Sequence, residues 1–588
     1  MKRFFNRFSA GNTSENEEEK NDASTNVYSV SDTSSSNNNN FANNEKYVSD
    51  EQAYDVPDVL TNIVVAVDDD KHTRTLPLQQ YEHYAAIQRE YEDRNDFEGL
   101  RECQREQLSD PHSNLSEEKI QSQIALRRAS KYSVFFLITT DILGPSNAPY
   151  AMMQLGLVPG IILYIAFGVF AIIGGKLLSY AFCRLDSDNF PLRTFADLAT
   201  RILGPWSRFG VAGLQFIQMI LNVGIILLTT GQALAQCIKS TAEDPKLCFT
   251  VQIFVWAILG MIIGQIRSLK DFSHLANSAV WMNIAICIIT MVGAATGGPN
   301  YEVAWTSSQI PKGPVDIYAV AKNDLYDRIQ GIDQMVFAWG GATIFCEVMG
   351  EMARPREFVK GLIGADTLIM VVYLFYGIFV FCYQGQFTYA VANQGINQYG
   401  LQLASNILNI ISGMLAAVLY SNVGLKVFYQ GFGVPDLKFP KLDTIKGAIW
   451  WFVLVIIYWG VAFIIGAAIP QVASLSSLVG AVCILNFSYT LPALFVFFLI
   501  VQDDAGSLDK YDPLTGEVER YDTWKSGERW RRAFLLGGWK RICMKIFTFI
   551  LFLCGLTLCG LGMYGAIESL IEAYSDNNAV AFSCNPSL

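Results

Sequence analysis

Charge is scarce in this sequence. Asp, Glu, Lys and Arg make up only 16% of its 588 residues, against about 25% in ordinary soluble domains. The acidic residues behind its net charge of −11 crowd toward the N-terminus. Histidine occurs four times, scattered, and the twelve cysteines form no CxxC pair. Neither a metal site nor a disulfide scaffold is therefore indicated, and no cofactor is expected. No nucleophile–base arrangement, HExxH helix, Walker loop or Gly-rich dinucleotide turn occurs, so an enzyme is not expected. Nothing reads as a basic stripe interleaved with aromatics, which argues against nucleic acid as a partner. The opening MKRFFNRF lacks an apolar signal-peptide core, so the first membrane helix is expected to direct insertion.

What the sequence does have is hydrophobic length. Beyond Lys131 it runs as a series of apolar stretches, each about 20 residues, enough to cross a bilayer about 30 Å thick. Most are apolar all round, so the solvent they expect is lipid. Spans are predicted over 131–156, 157–183, 207–236, 248–266, 273–297, 329–352, 358–382, 401–427, 449–469, 473–501 and 545–572. The chain then divides into a cytoplasmic N-terminal region 1–128, an eleven-helix domain 129–573 and a short tail 574–588. The Ser-, Asn- and acid-rich start, with its run Asn37 to Asn40, cannot bury enough apolar surface to order itself. Residues 75–128 carry charged, partly helical patterns; a solvated helical collar is the plainer reading and a docking element the other. A tight turn at Leu155 to Gly160 pairs the first two spans, and Phe190 to Gly204 reads as an amphipathic helix along the membrane face.

Alternate loops hold Arg184, Arg193, Arg201, Arg267, Lys270, Arg354, Arg356, Lys360, Lys438, Lys441, Lys446 and the basic stretch Arg529 to Lys545. The opposite loops hold only Lys239, Lys246, Lys312, Lys322 and Arg328. By the positive-inside rule the N-terminus is cytoplasmic and the C-terminus lies outside. Cys237 and Cys248 then share one short outer loop, either as a disulfide or as two free thiols.

Ionisable residues inside a span cost about 2.5–3.5 kcal/mol on insertion scales, so each calls for a reason. Asp141 lies about 15 Å into the first span at about 1.5 Å per residue. Directly after it comes Ile142-Leu143-Gly144-Pro145-Ser146-Asn147-Ala148-Pro149-Tyr150, where each proline removes a donor and clashes with the preceding turn. Broken helix at that depth survives only against protein or a polar cavity. The sixth span repeats the feature with Phe337-Ala338-Trp339-Gly340-Gly341, flanked by Gln334, Glu347 and Glu351. Interrupted spans at matching positions of two five-helix halves point to a transporter site. Bare half-helix N–H groups suit a carboxylate, and unwound carbonyls suit an ammonium group. The plainer reading of the Gly-Gly pair is a close-packing surface. Asp366, about 12 Å into the seventh span, either takes a proton or pairs with a buried polar group. Lys176 reads as snorkelling. Asn222, Thr229, Gln232, Ser421 and Asn422 either line a cavity or bond between helices.

Three stretches, GPSNAPYAMMQLGLVPG, FADLATRILG and EVMGEMARPREFVKGL, resemble landmarks of the amino acid/auxin permease family in order and spacing. The nearest resemblance is to fungal neutral amino acid permeases of the methyltryptophan-resistance type. The resemblance implies a LeuT-like all-α fold of two inverted five-helix repeats with broken helices 1 and 6, plus an eleventh helix. It implies proton-coupled amino acid uptake. Gly144, Ser146, Asn147 and Ala148 would offer backbone to the substrate carboxylate, and Phe337, Ala338, Trp339 and Gly340 would line the opposite side. Asn222 joins the expected substrate site by its place in the third span, not by the resemblance. The sequence departs from the family by placing Gly-Pro-Ser-Asn-Ala before Pro-Tyr-Ala, with Asp141 ahead of it.

Asp141 and Asp366 are the expected coupling groups, and protons rather than sodium the expected ion, since a desolvated carboxylate readily protonates. The cargo is expected to be neutral amino acids, including aromatic ones. The plasma membrane is favoured over the vacuolar one. The expected partners are the amino acid and the bilayer, with the N-terminal tail long enough to take regulatory proteins as well. The rival functions are an amino acid sensor with the same fold and a vacuolar exporter.

Overall fold

The computed structural model describes residues 76–588 except 109–126, 128, 143, 240–245, 267–272, 434–436, 441–443, 470, 513–516, 576–579 and 586–588. The run Asn37 to Asn40 therefore lies outside the described residues, as do Arg267, Lys270 and Lys441. Among the described residues, eight helices are long and apolar enough to cross a membrane: Leu157–Leu185, Pro205–Cys237, Ser278–Gly297, Pro355–Phe387, Tyr399–Gly433, Ile445–Ala468, Val472–Ala505 and Gly538–Ser575. A shorter apolar helix spans Phe249–Ile263. Ile449, Phe452, Ile456, Ile457 and Ile464 stand exposed on a single helix, a surface that lipid tolerates and water does not. This is a multi-pass integral membrane protein.

The expected first and sixth spans are both interrupted. The first runs as helix over Lys131–Ile142, turns 3-10 over Pro145–Asn147 and resumes over Ala148–Leu155. The sixth runs over Leu325–Ala338, a 3-10 turn at Gly340–Ile344 and a short helix Phe345–Gly350. Gly156 alone, at φ +91°, separates Leu155 from the next helix. A Cβ there would lie 2.6 Å from the Ala321 backbone nitrogen, so both conformation and space call for glycine.

Two long helices depart from expectation. Val472–Ala505 contains two π turns, Gly480–Ile484 and Asn486–Thr490, and the last helix, Gly538–Ser575, is longer than the predicted span. The amphipathic stretch forms a helix only over Phe195–Leu203, started by a reciprocal cap between Thr194 and Asp197. Its apolar face is buried in protein, with Phe195 against Phe487 and Phe495 at 5.0 and 5.8 Å.

At the end rich in arginine, the helix Leu78–Arg94 is docked rather than solvated. Tyr81 and Tyr84 each meet Phe190 at 5.4 Å, and Arg89 reaches Asp186 at 2.9 Å. Arg127 holds the other oxygen of Asp186 at 2.8 Å. Burial opposes the Asp186 charge, but Arg127, Arg89 and the Leu192 N–H outweigh it and hold the carboxyl below its usual range. Beside it, Arg184 faces both Glu82, at 2.6 Å, and Asp503. Burial first and then Asp503, against Arg184, push Glu82 up to about 8.

The cysteine pairing corrects the expectation. Cys248 is bonded to Cys584, and Cys237 is free. The terminal tail is brought there by main-chain pairing, with Phe249 N–H donating to Cys584 C=O at 3.0 Å and the Thr250 hydroxyl donating to Ser583 C=O at 2.8 Å.

Candidate functional site

The two interruptions free backbone groups, on exposed Gly144 and buried Ala338, and a side chain from a third helix links them. Tyr373, on the helix Phe358–Gln384, is fully buried. Its hydroxyl accepts the Gly144 N–H at 3.3 Å and donates to the Ala338 carbonyl at 3.2 Å. Its ring meets Trp339 edge-on at 5.9 Å and Tyr164 at 6.1 Å. Trp339 is only 2% exposed, and its indole N–H has no partner among the described residues. It lies against Gly168, where a Cβ would come within 2.6 Å of the ring.

A second link is made of amides. Asn147 donates to Gln334 at 2.8 Å, and Gln334 donates in turn to the Ala473 carbonyl and the Ser476 and Ser477 hydroxyls at 2.7–2.9 Å. One face-width further along, Tyr150 bonds Gln330 at 3.1 Å, and Gln330 donates to Ser569 at 2.8 Å. The two interrupted helices, the π-turn helix and the last helix thus share one polar seam.

The third contribution comes from the helix Pro205–Cys237. Gln215 donates to the Thr343 carbonyl at 3.0 Å and to Glu347 at 2.7 Å, and Thr343 donates to Gln218 at 3.0 Å. Asn222 follows Gln218 by four residues, so it lies on the same face. It is buried with its carbonyl oxygen unpartnered among the described residues.

Of the residues singled out in the sequence, Gly144, Asn147, Ala338 and Trp339 are brought together by these contacts. Ala148 is fully buried, and Ser146, Phe337 and Gly340 are half-buried beside them. Asp141 is in the last turn of Lys131–Ile142, and its side chain lies outside the described residues. Asp366 is buried, with one oxygen unpartnered among the described residues, and precedes Tyr373 by two turns on one face. Thr229 bonds its own helix at Ile226. Asn422 bonds the Ile266 carbonyl at 2.8 Å, the interhelical role. Lys176 is exposed.

Sequence reasoning missed Tyr373, Gln215, Gln218 and Asp333. Asp333 is 3% exposed, with Oδ2 unpartnered among the described residues. A Cβ at Gly562 would fall 2.5 Å from its Oδ1. The signal that finds it is an ionisable residue within a predicted span.

Fold and seam define a polytopic, predominantly helical membrane protein with two joined helix breaks. The model of the family described as transmembrane amino acid transporter protein matches residues 127–511, and the chain belongs to that family, one of transporters rather than enzymes. Similar proteins include the N amino acid transport system protein of Neurospora crassa, 22% identical over 78% of this chain and 88% of the relative. A transmembrane transporter of Fusarium pseudograminearum is 23% identical over 62% of this chain and 73% of its own length. Lysine histidine transporter-like 4 of Arabidopsis thaliana is 21% identical over 56% and 70%. Amino acid transport is the function these similarities support.

Proposed function

We propose that the protein is a secondary active transporter carrying neutral amino acids, aromatic ones included, together with protons. The observation that carries this reading is Tyr373 bonding the broken backbone of both interrupted helices at once. A group that accepts from one break and donates to the other occupies the place where a zwitterion could do the same. The substrate carboxylate would take N–H groups of Gly144, Ser146, Asn147 and Ala148. Its ammonium would take carbonyls of Phe337, Ala338, Trp339 and Gly340. Phe337, Trp339, Tyr373 and Ala148 are uncharged, which favours a neutral side chain. Asn222 stands on the helix that already grips the sixth-span turn.

The architecture is that of eleven spans in a LeuT-like arrangement, two inverted five-helix repeats and a last helix. The positive-inside bias supports a cytoplasmic N-terminus, and a disulfide on the opposite face agrees with an oxidising exterior. The plasma membrane is favoured. Asp141 and Asp366 are the coupling groups, with Asp333 a third carboxyl at the seam. Desolvated carboxyls take protons more readily than they hold charge.

The test is uptake of labelled amino acids into liposomes carrying the purified protein under an imposed proton gradient. Accumulation abolished by a protonophore and lost in Asp141→Asn is expected. Accumulation driven by sodium and indifferent to pH contradicts proton coupling. Binding without accumulation contradicts transport and makes the protein a sensor.

A further inference from the structure

A cavity of about 570 Å³ opens at the arginine-rich end of the molecule, away from the helix breaks. Its volume lies in the range of small-molecule and lipid sites, about 300–1,000 Å³. Phe498, Trp524, Trp530 and Phe534 form its apolar wall, and Arg520, Arg529 and Asp509, whose carboxylate Arg529 holds at 2.8 Å, stand in its lining. Phe498 belongs to the membrane-crossing helix Val472–Ala505, so the wall continues into the bilayer. Trp530 and Phe534 stack with ring planes 5° apart on the helix Gly527–Leu535. That helix also exposes Leu535, and Leu536 and Trp539 follow it exposed. An amphipathic helix of this composition lies in the plane of the headgroups.

The charges are arranged unequally. Arg529 is 6% exposed and gives its terminal nitrogens to Asp509 and Asp522. Its Nε is buried without a partner among the described residues, a costly orphan for a cation. Arg520 is exposed and makes no hydrogen bond or ion pair among the described residues. From Arg520 to Lys545 the chain carries eight basic and two acidic side chains. Apolar walls and a free arginine within a basic segment fit one kind of occupant.

We infer that this cavity binds an anionic phospholipid, its acyl chains against Phe498, Trp530 and Phe534 and its phosphate between Arg520 and Arg529. The cavity also reaches Leu78, the first residue of the docked N-terminal helix. A lipid seated there contacts the membrane domain and the N-terminal segment together. This site is independent of which substrate the protein carries.

Two tryptophans in the wall make the test direct. The full-length protein in nanodiscs is titrated with dibrominated phosphatidylserine or dibrominated phosphatidylcholine, and tryptophan emission is read. Phosphatidylserine is expected to quench at a lower mole fraction, and Trp524→Phe with Trp530→Phe removes the difference. Arg520→Gln weakens phosphatidylserine about fivefold, the value of one basic side chain near a membrane surface, with an unchanged melting temperature because Arg520 is exposed and makes no hydrogen bond or ion pair among the described residues. Equal quenching by both lipids overturns the proposal, as does an Arg520→Gln protein that binds like the parent. Full displacement by inorganic phosphate or phosphoserine also overturns it, showing a free-anion site in place of a lipid site.

Discussion

A peptide group without a partner inside a bilayer costs several kcal/mol, so Gly144 N–H and Ala338 C=O have to be met from elsewhere. Tyr373 meets both with one hydroxyl, because a hydroxyl is at once donor and acceptor. Its position is set in turn by Trp339 and Tyr164, and Trp339 fits only because residue 168 is glycine. Gly168→Ala therefore forces the indole to move. That overpacking is expected to cost about 1–3 kcal/mol, read as a lower melting temperature. Gly364→Ala is the control, since its Cβ would make an ordinary 3.4 Å contact with Phe135. Equal melting of the two variants would contradict the packing described. Tyr373 was not legible in the sequence: within YLFYGIFVFCY it is one aromatic among many, and no pattern separates a lipid-facing ring from a buried one. Asp333 stands only four residues into the predicted span 329–352, about 6 Å at about 1.5 Å per residue, so the sequence does not mark it as deep. The breaks themselves were legible, since Gly144, Pro145, Pro149 and the Gly340–Gly341 pair interrupt helices wherever they stand.

Among the elements, the docked helix Leu78–Arg94 is the one whose attachment depends on charge. Asp186 is fully buried between Arg89 and Arg127. Asp186→Asn leaves two buried guanidinium groups short of a partner, a loss of about 3–5 kcal/mol for a broken buried pair. Trypsin is then expected to cut after Arg89, which is 2% exposed in the docked helix; continued resistance would contradict the ion pair's role. Glu82 brings a pH dependence. Its carboxyl is raised to about 8, so its contribution to docking is complete below its ordinary 4.5 and lost as pH rises through about 8. Asp186 is shifted the other way, so its contribution is complete above its ordinary 3.8 and stays constant over that window. Tryptic release of the helix is expected to rise from about pH 5 to about pH 8 and to level off above that in the parent, and not to rise in Glu82→Gln. Identical profiles would rule Glu82 out. The pattern YEHYAAIQREYEDR gave the helix but not its docking, because Tyr81 and Arg89 are polar residues whose partners lie about a hundred positions away.

At the scale of the molecule, hydrophobic length alone identified a multi-pass membrane protein, and the family match agrees with the three motif stretches. The π turns of Val472–Ala505 were not legible, since an apolar run carries no mark of where its hydrogen bonds shift register. Nor was the Cys248–Cys584 bond, which depends on where the tail after the last helix returns. The polar seam gathers the two interrupted helices, Gln215 and Gln218 of the helix Pro205–Cys237, Tyr373, the π-turn helix and the last helix. That convergence joins the two breaks into one hydrogen-bonded unit rather than two independent kinks.

Equilibrium binding of labelled neutral amino acids to the purified parent and to Tyr373→Phe tests this most directly. Loss of the hydroxyl frees an N–H and a carbonyl, each worth about 1–3 kcal/mol when left unpaired, so binding is expected to change about tenfold or more while both proteins melt cooperatively. A Tyr373→Phe protein that binds and transports amino acids as the parent does would contradict the central claim, that the two joined breaks form the substrate site.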